Sequence, residues 1–272
     1  MILLWLGRSH RSSPGELQEL ARAVLRAQPA MAPIVRIAIE CLRAGHDKSA
    51  RPLSTRLRNF LAVVESGPTE IGRRFHRALP ARKKNVLLTH SYSGTVVRAL
   101  TTARSRIDRV LCSEGRPNYE GRRMARELTS AGVKAELMTD SAITEFVGLA
   151  TAVVVGADAV SEGGMRNKVG TAALVACALQ QHVPIWVLAD TSKLLPHALC
   201  DGREKLAVND SSPQEVWPRS PARIRVLNPY FGWTRFRRGI RILTEAGWIT
   251  SRDLRRRIAR LHLPKSWPGG FD

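Results

Sequence analysis

Acidic residues are scarce in this chain. Only 23 Asp and Glu stand against 43 Lys and Arg in 272 residues, a formal net charge of +20. Such a balance suits contact with a polyanion, whether RNA, DNA or a phosphorylated ligand. Arginine far outnumbers lysine and is scattered along helix-like stretches, as at Arg22, Arg26, Arg36 and Arg43. A solvated basic surface has the same look. No aromatic-rich strand pair and no GXXG clamp accompanies the charge, so an RNA or ribosome-associated partner has no signature of its own.

Other absences narrow the field further. No run of 18 apolar residues exists, which excludes a transmembrane helix and a membrane partner. The apolar start, Met1 to Gly7, has no basic segment before it and no Ala-x-Ala cleavage site after it. It does not read as a signal peptide, and a cytoplasmic location is expected. The four cysteines, Cys41, Cys112, Cys177 and Cys200, form no C-x-x-C pair and flank no spaced His pair. No metal site is therefore expected, and four reduced thiols fit the cytosol. No G-x-G-x-x-G motif follows the first strand-like run, where Ser91-Tyr-Ser-Gly94 carries a single glycine. That disfavours NAD or FAD, and no cofactor is expected.

What is present is an ordinary hydrophobic fraction of 44%, enough for a core. Residues 1–80 read as helical. Leu17, Leu20, Ala21, Val24 and Leu25 recur at helical spacing, with Pro14-Gly-Glu16 to open the helix. Further helices are predicted over 34–42, over 56–64 with an end at Gly67-Pro68, and over 71–79. Residues 80–84 read as a short basic linker. From Asn85 short apolar runs alternate with helical stretches. Strands are predicted at 86–89, 110–112, 135–138, 152–155, 185–189 and 224–227, with helices at 95–103, 119–131, 142–149 and 169–181 between them. This alternation predicts an α/β fold: a Rossmann-like, doubly wound parallel sheet over 84–272 with C-terminal helices, preceded by a small N-terminal helical domain over 1–80. The strands are apolar throughout, as when helices cover both faces. In such a sheet ligands bind beyond the carboxyl ends of the strands, so the residues just after each strand matter most.

Those strand ends carry polar residues. Thr89-His-Ser91-Tyr-Ser93-Gly-Thr95 offers hydroxyls and backbone N–H groups at a helix start, which suit either a phosphate or an N-cap. Ser113-Glu114-Gly-Arg116-Pro-Asn-Tyr-Glu120-Gly121 presents the Arg116 fork, for phosphate or for a structural pair with Glu114. Asp140 is expected to cap the helix that follows it. The richest stretch is Gly156-Ala-Asp158, followed by Glu162-Gly-Gly-Met-Arg-Asn167-Lys168-Val-Gly170-Thr171. Here an aspartate leaves a buried strand, where desolvation can raise its pKa and fit it for proton exchange. A glycine loop then delivers Asn167 for a hydroxyl and Lys168 for a phosphate at a helix start.

Taken together, these segments resemble one family, that of the alpha, beta and delta subunits of translation initiation factor 2B, methylthioribose-1-phosphate isomerase and ribose-1,5-bisphosphate isomerase. The matching pieces are Leu-Leu-Thr-His-Ser-Tyr-Ser, Glu-Gly-Arg-Pro-x-x-x-Gly, Thr-Asp-Ser-Ala, Val-Gly-Ala-Asp, Asn-Lys-Val-Gly-Thr and the later Asn228-Pro-Tyr-Phe231. Ala50-Arg51-Pro52 resembles the family's N-terminal Arg-Pro segment. The resemblance implies a homodimer or larger homo-oligomer and a pocket for a phosphorylated sugar or a nucleoside monophosphate. By position it implies Asp158 as the catalytic aspartate of the isomerase branches, with Arg51, Ser93, Arg116, Glu120, Asn167 and Lys168 as ligand-binding residues. Ser91 stands where those branches place a catalytic cysteine, and Glu120 where they place a glutamine. The family's N-terminal Arg-Gly segment has no clear counterpart; Arg8 and Arg11 stand nearest. A serine needs a dedicated base to act. His90 is expected to point to the opposite face, and Cys112, ending the next strand, is the alternative thiol. The implied function is a regulatory, non-catalytic initiation-factor-2B-like protein; the alternative is an aldose–ketose isomerase of a pentose 1-phosphate.

Overall fold

The computed structural model describes residues 13–27, 31–46, 52–81, 85–196, 199, 211–261 and 267. Arg8, Arg11, Arg51, Cys200 and most of the 80–84 linker lie outside these.

Three helices come first: α1 (Pro14–Ala27), α2 (Ala32–His46) and α3 (Leu53–Ala78). Ser13 and Glu16 open α1 as a reciprocal cap, the Ser13 N–H donating to Glu16 Oε2 at 2.6 Å and the Glu16 N–H to Ser13 Oγ at 3.3 Å. The helices predicted over 56–64 and 71–79 are one, and Gly67-Pro68 does not end it. Its apolar stripe explains the continuity. Ile71, Phe75 and Leu79 recur every four residues and are all buried against the central sheet, so packing outweighs the local breaker. The Ser66 hydroxyl donates to the Ala62 carbonyl at 2.6 Å within this stretch.

The sheet and its helices follow in order: β1 (Asn85–Thr89), α4 (Gly94–Thr102), β2 (Ile107–Ser113), α5 (Glu120–Ser130), β3 (Ala135–Met138), a 3-10 segment (Ala142–Leu149) and β4 (Ala152–Gly156). A hairpin of β5 (Ala159–Ser161) and β6 (Gly164–Lys168) comes next, then α6 (Thr171–Gln180), β7 (Ile185–Leu188) and a 3-10 turn (Thr191–Lys193). The chain closes with α7 (Pro213–Val216), β8 (Phe231–Arg235), β9 (Ile240–Thr244), β10 (Gly247–Ile249) and α8 (Ser251–Ala259).

Seven strands form the main sheet in the order β10-β9-β7-β4-β1-β2-β3. All neighbours are parallel except the edge pair β9–β10. The order reverses between β1 and β4, which is where an open α/β sheet forms its crevice. Every residue of β4 is buried, as its unbroken Ala-Val-Val-Val-Gly run requires. One face is covered by α3, α4 and α5. The 3-10 segment Ala142–Leu149, α6 and α8 cover the other. The fold is thus the predicted one, a mostly parallel Rossmann-like sheet preceded by helices. Among the described residues no helix is long and apolar enough to cross a membrane.

Three further local expectations are overturned. Residues 224–227 are not a strand; Ile224 and Leu227 are 47% and 59% exposed. The place beside β7 goes to β9, which pairs with it from Ile185↔Ile240 to Leu188↔Leu243 and buries Ile242 and Leu243. Residues 142–149 form a 3-10 segment rather than an α-helix. Residues 162–168 are not a flexible glycine loop before a helix. They close the β5–β6 hairpin, and β8 pairs with β6 to make a second, three-stranded antiparallel sheet.

Candidate functional site

The carboxyl ends of β1, β2 and β6 are joined by one buried ring. His90 Nε2 lies 2.7 Å from the Val169 carbonyl and Nδ1 lies 2.6 Å from Ser113 Oγ. A carbonyl only accepts, so Nε2 carries the proton to Val169, and the arrangement fits Nδ1 accepting from the Ser113 hydroxyl. Gly170 adopts φ +97°, and a Cβ there would stand 2.9 Å from His90 Nε2, so the turn and the ring both require glycine. With both nitrogens engaged, His90 has none left to activate Ser91. Asp140 is not the helix cap expected of it. Its two oxygens accept from the N–H groups of Gly115 at 2.8 Å and Arg116 at 2.6 Å, which fastens the loop after β2 to the end of β3.

Ser91 itself is buried, with a left-handed backbone at φ +61°. Non-glycine residues seldom adopt this region, and those that do concentrate at functional sites. Ser93 caps α4, its Oγ accepting from the Val96 N–H at 3.4 Å. Cys112 does not substitute for the missing thiol. It is fully buried in the core under α3, α4 and α5, and burial pushes its pKa up to about 12, leaving a neutral thiol with no access to the crevice.

Arg116 and Glu114 do not pair. The Arg116 guanidinium donates to the Tyr119 hydroxyl at 2.6 Å and to the Val216 carbonyl at 3.2 Å, whereas Glu114 takes Arg122 at 3.1 Å. Glu120, the first residue of α5, faces Lys168 instead. Lys168 Nζ donates to Glu120 Oε1 at 3.2 Å, and Glu120 also accepts from the Tyr230 hydroxyl. The ammonium stands 3.3 Å from the Tyr230 ring centre. The Lys168 side chain is only 5% exposed. Burial lowers its pKa, and Glu120 opposes that by favouring the charged form.

Asn167 and Lys168 end strand β6; the helix begins only at Thr171. Asn167 Nδ2 donates to Thr171 Oγ1 at 3.1 Å, and that hydroxyl donates to the Lys168 carbonyl at 2.7 Å. Asp158 occupies the turn between β4 and β5. Its N–H donates to the Arg166 carbonyl at 2.9 Å, and its own carbonyl accepts from the Ala32 N–H at 3.0 Å, which ties the start of α2 to the strand end. Desolvation raises the Asp158 pKa, against the pull of Lys193, Arg166 and Lys168. Lys193 Nζ donates to the neighbouring Ala157 carbonyl at 2.6 Å.

The structure therefore gathers Glu120, Asn167 and Lys168 into one contact network, with Asp158 within electrostatic reach of Lys168. Ser93 caps α4 and Arg116 stacks on Tyr119, and neither has a contact within that network. Among the described residues no three His, Cys, Asp or Glu side chains form a metal cluster. Sequence reasoning missed Tyr230 and Lys193 and dismissed His90. The register of β6 with β8, which sets Lys168 opposite Phe231, is what brings Tyr230 to the ammonium. The motif Asn228-Pro-Tyr-Phe231 was the available signal. A carboxyl of raised pKa can exchange protons with a bound hydroxyl, and a buried cation can receive a phosphate.

The family model for the Initiation factor 2 subunit family matches residues 16–251. The chain belongs to this family. It is 32% identical over 235 residues to a translation initiation factor eIF-2B subunit 2-like protein of Pyrococcus furiosus, covering 85% of this chain and 80% of that one. It is 29% identical over 184 residues to a ribose 1,5-bisphosphate isomerase of Archaeoglobus fulgidus, covering 66% of this chain but only 58% of the isomerase. The crystal structure of the Pyrococcus horikoshii translation initiation factor eIF-2B superposes with a TM-score of 0.73 at 28% identity, covering 93% of this chain and 89% of the other. The initiation factor 2 subunit family thus contains both translation-factor-like and isomerase relatives of this chain. Membership alone does not choose between them, so the choice rests on the strand-end chemistry.

Proposed function

We propose that this protein binds a phosphorylated small molecule, a sugar phosphate or a nucleoside monophosphate, at the ends of β1, β4 and β6 and does not turn it over. It would act as a regulatory protein of the translation initiation factor 2B type. One observation carries this reading. A buried lysine and a carboxyl of raised pKa stand at Lys168 and Asp158, while both nitrogens of His90, beside Ser91, are occupied and the Cys112 thiol is sealed in the core. Lys168 and Asn167 would hold the phosphate and a hydroxyl, and Arg51 would add a second cation. Titration calorimetry with ribose 1,5-bisphosphate, methylthioribose 1-phosphate and nucleoside monophosphates tests this. Binding by none of them ends the reading.

The raised pKa of Asp158 favours a second reading, an aldose–ketose isomerase of a pentose 1-phosphate. A coupled isomerase assay separates the two, because turnover lost in Asp158→Asn would make the protein an enzyme. Self-association into a homodimer or larger homo-oligomer belongs to the same proposal. Trp217, Ile224 and Leu227 leave large apolar side chains exposed within eleven residues of chain. Sedimentation of a monomer at micromolar concentration would remove it.

A further inference from the structure

A second cavity of about 420 Å³ opens between α2, α3 and the 3-10 turn Thr191–Lys193. None of Ser91, Glu120, Asp158 and Lys168 lines it. Its volume lies within the range of small-molecule sites. Three guanidinium groups line it, from Arg36, Arg43 and Arg56, against the single carboxylate of Glu40.

Glu40 is already spent. Its Oε2 takes Arg56 Nη1 at 2.9 Å, and its backbone carbonyl accepts from Arg56 Nη2 at 3.3 Å. Arg43 reaches Oε1 only at 3.9 Å. Arg36 is left with a backbone carbonyl, that of Leu194 at 3.3 Å, and the face of Phe60 at 5.6 Å. Its Nε is buried without a hydrogen-bond partner, and burial lowers its pKa, an effect that Glu40 opposes and Arg43 reinforces. The hydroxyls of the opposite wall are committed elsewhere, Thr191 to Glu245 and Ser192 to Asp190. The wall therefore carries three guanidinium groups against one carboxylate that all three share, and Phe60 and Val63 add an apolar side.

We propose that this cavity is a second binding site, for a small phosphate monoester with a planar or apolar body. Planar guanidinium forks match the oxygens of a phosphate, and a dianion answers the charge excess of the wall better than a monoanionic carboxylate. The body of the ligand lies along Phe60 and Val63.

Phenyl phosphate is the probe, titrated into the full chain beside inorganic phosphate, phenylacetate and phenol. Phenyl phosphate binds most tightly of the four, and phenol does not bind. Asn59→Asp, an exposed change at the rim that removes no packing, weakens phenyl phosphate by about tenfold or more, as does Arg36→Gln. Lys168→Met removes whatever phenyl phosphate the strand ends hold and leaves in place the binding that Asn59→Asp and Arg36→Gln weaken, because Lys168 does not line this cavity. The proposal is overturned by any of four results: no binding of phenyl phosphate at millimolar concentration, equal binding of phenol, unchanged affinity in an Asn59→Asp protein that melts like the wild type, or loss of all phenyl phosphate binding in Lys168→Met.

Discussion

The ends of β1 and β4 lie side by side where the sheet order reverses, yet they are built on opposite principles. At the β1 end polar groups are consumed by one another. His90 is held between Ser113 and Val169, Ser93 caps a helix, and the neighbouring Asp140 fastens the loop after β2. Beyond β4 the polar groups keep charge and protons in play, with Asp158 pushed up by burial, Lys168 pushed down, and Glu120 and Tyr230 between sheet and helix. Both ends are buried, so burial alone does not make a reactive group. What differs is the kind of partner: neutral hydrogen bonds hold the β1 end, whereas a buried ion pair, Lys168 with Glu120, stands near a carboxyl of raised pKa beyond β4. A hydrogen-bonded lock gives a rigid rim, and a buried ion pair gives a place where a charged ligand can exchange with the carboxylate.

The sharpest way to break the lock is Gly121→Ala. A Cβ there would overlap the Ser113 carbonyl oxygen, which is backbone and cannot turn aside. A loss of about 4 kcal/mol or failure to fold is expected in a urea melt. Ser91→Cys addresses the comparison next, by placing an ionisable thiol at the β1 end without changing size. Isomerisation of ribose 1,5-bisphosphate should rise on the order of a hundredfold over the wild-type background in a coupled assay. No change would mean that the missing thiol is not what separates the two strand ends. Asp140→Ala strands the N–H groups of Gly115 and Arg116 and should cost about 2 kcal/mol in a thermal melt, with little effect on proton exchange at Asp158.

The smallest effect is one of sign. Desolvation raises the folded-state pKa of Asp158 above its unfolded value of about 3.9. The folded state then binds the proton more tightly. The stability so contributed is complete below about pH 3.9 and is lost as pH rises through the folded pKa. Asp158→Asn, which cannot ionise, should therefore melt above the wild type at neutral pH, with the gap closing on acidification. A wild type that gains stability relative to this variant as pH rises would reverse the sign.

Most of the sheet was legible because buried parallel strands are apolar without interruption. Ala152-Val-Val-Val and Ile185-Trp-Val-Leu can hardly be anything else. The failures come where neighbours decide. Ile224-Arg-Val-Leu227 has strand composition but no partner, whereas Ile240 to Thr244 earns its place by pairing with β7. Gly163-Gly164 looks like a flexible loop, but β8 returns to hydrogen-bond β6, and no local signal announces a strand arriving 60 residues later. Gly67-Pro68 reads as a stop, yet the buried Ile71 and Phe75 carry α3 across it. In the site, Asp158, Asn167, Lys168 and Glu120 were visible as residue types after strands. The partners that set their charge, Tyr230 and Lys193, were not, because they arrive from distant segments.

Calorimetric titration of ribose 1,5-bisphosphate into wild-type protein and into Lys168→Met, with product measured in the same cell, tests the central claim most directly. The wild type should bind without forming product, and Lys168→Met should bind at least about tenfold more weakly. Equal affinity in the two proteins, or wild-type turnover that vanishes in Asp158→Asn, would contradict a binding site that has kept its cation and given up its chemistry.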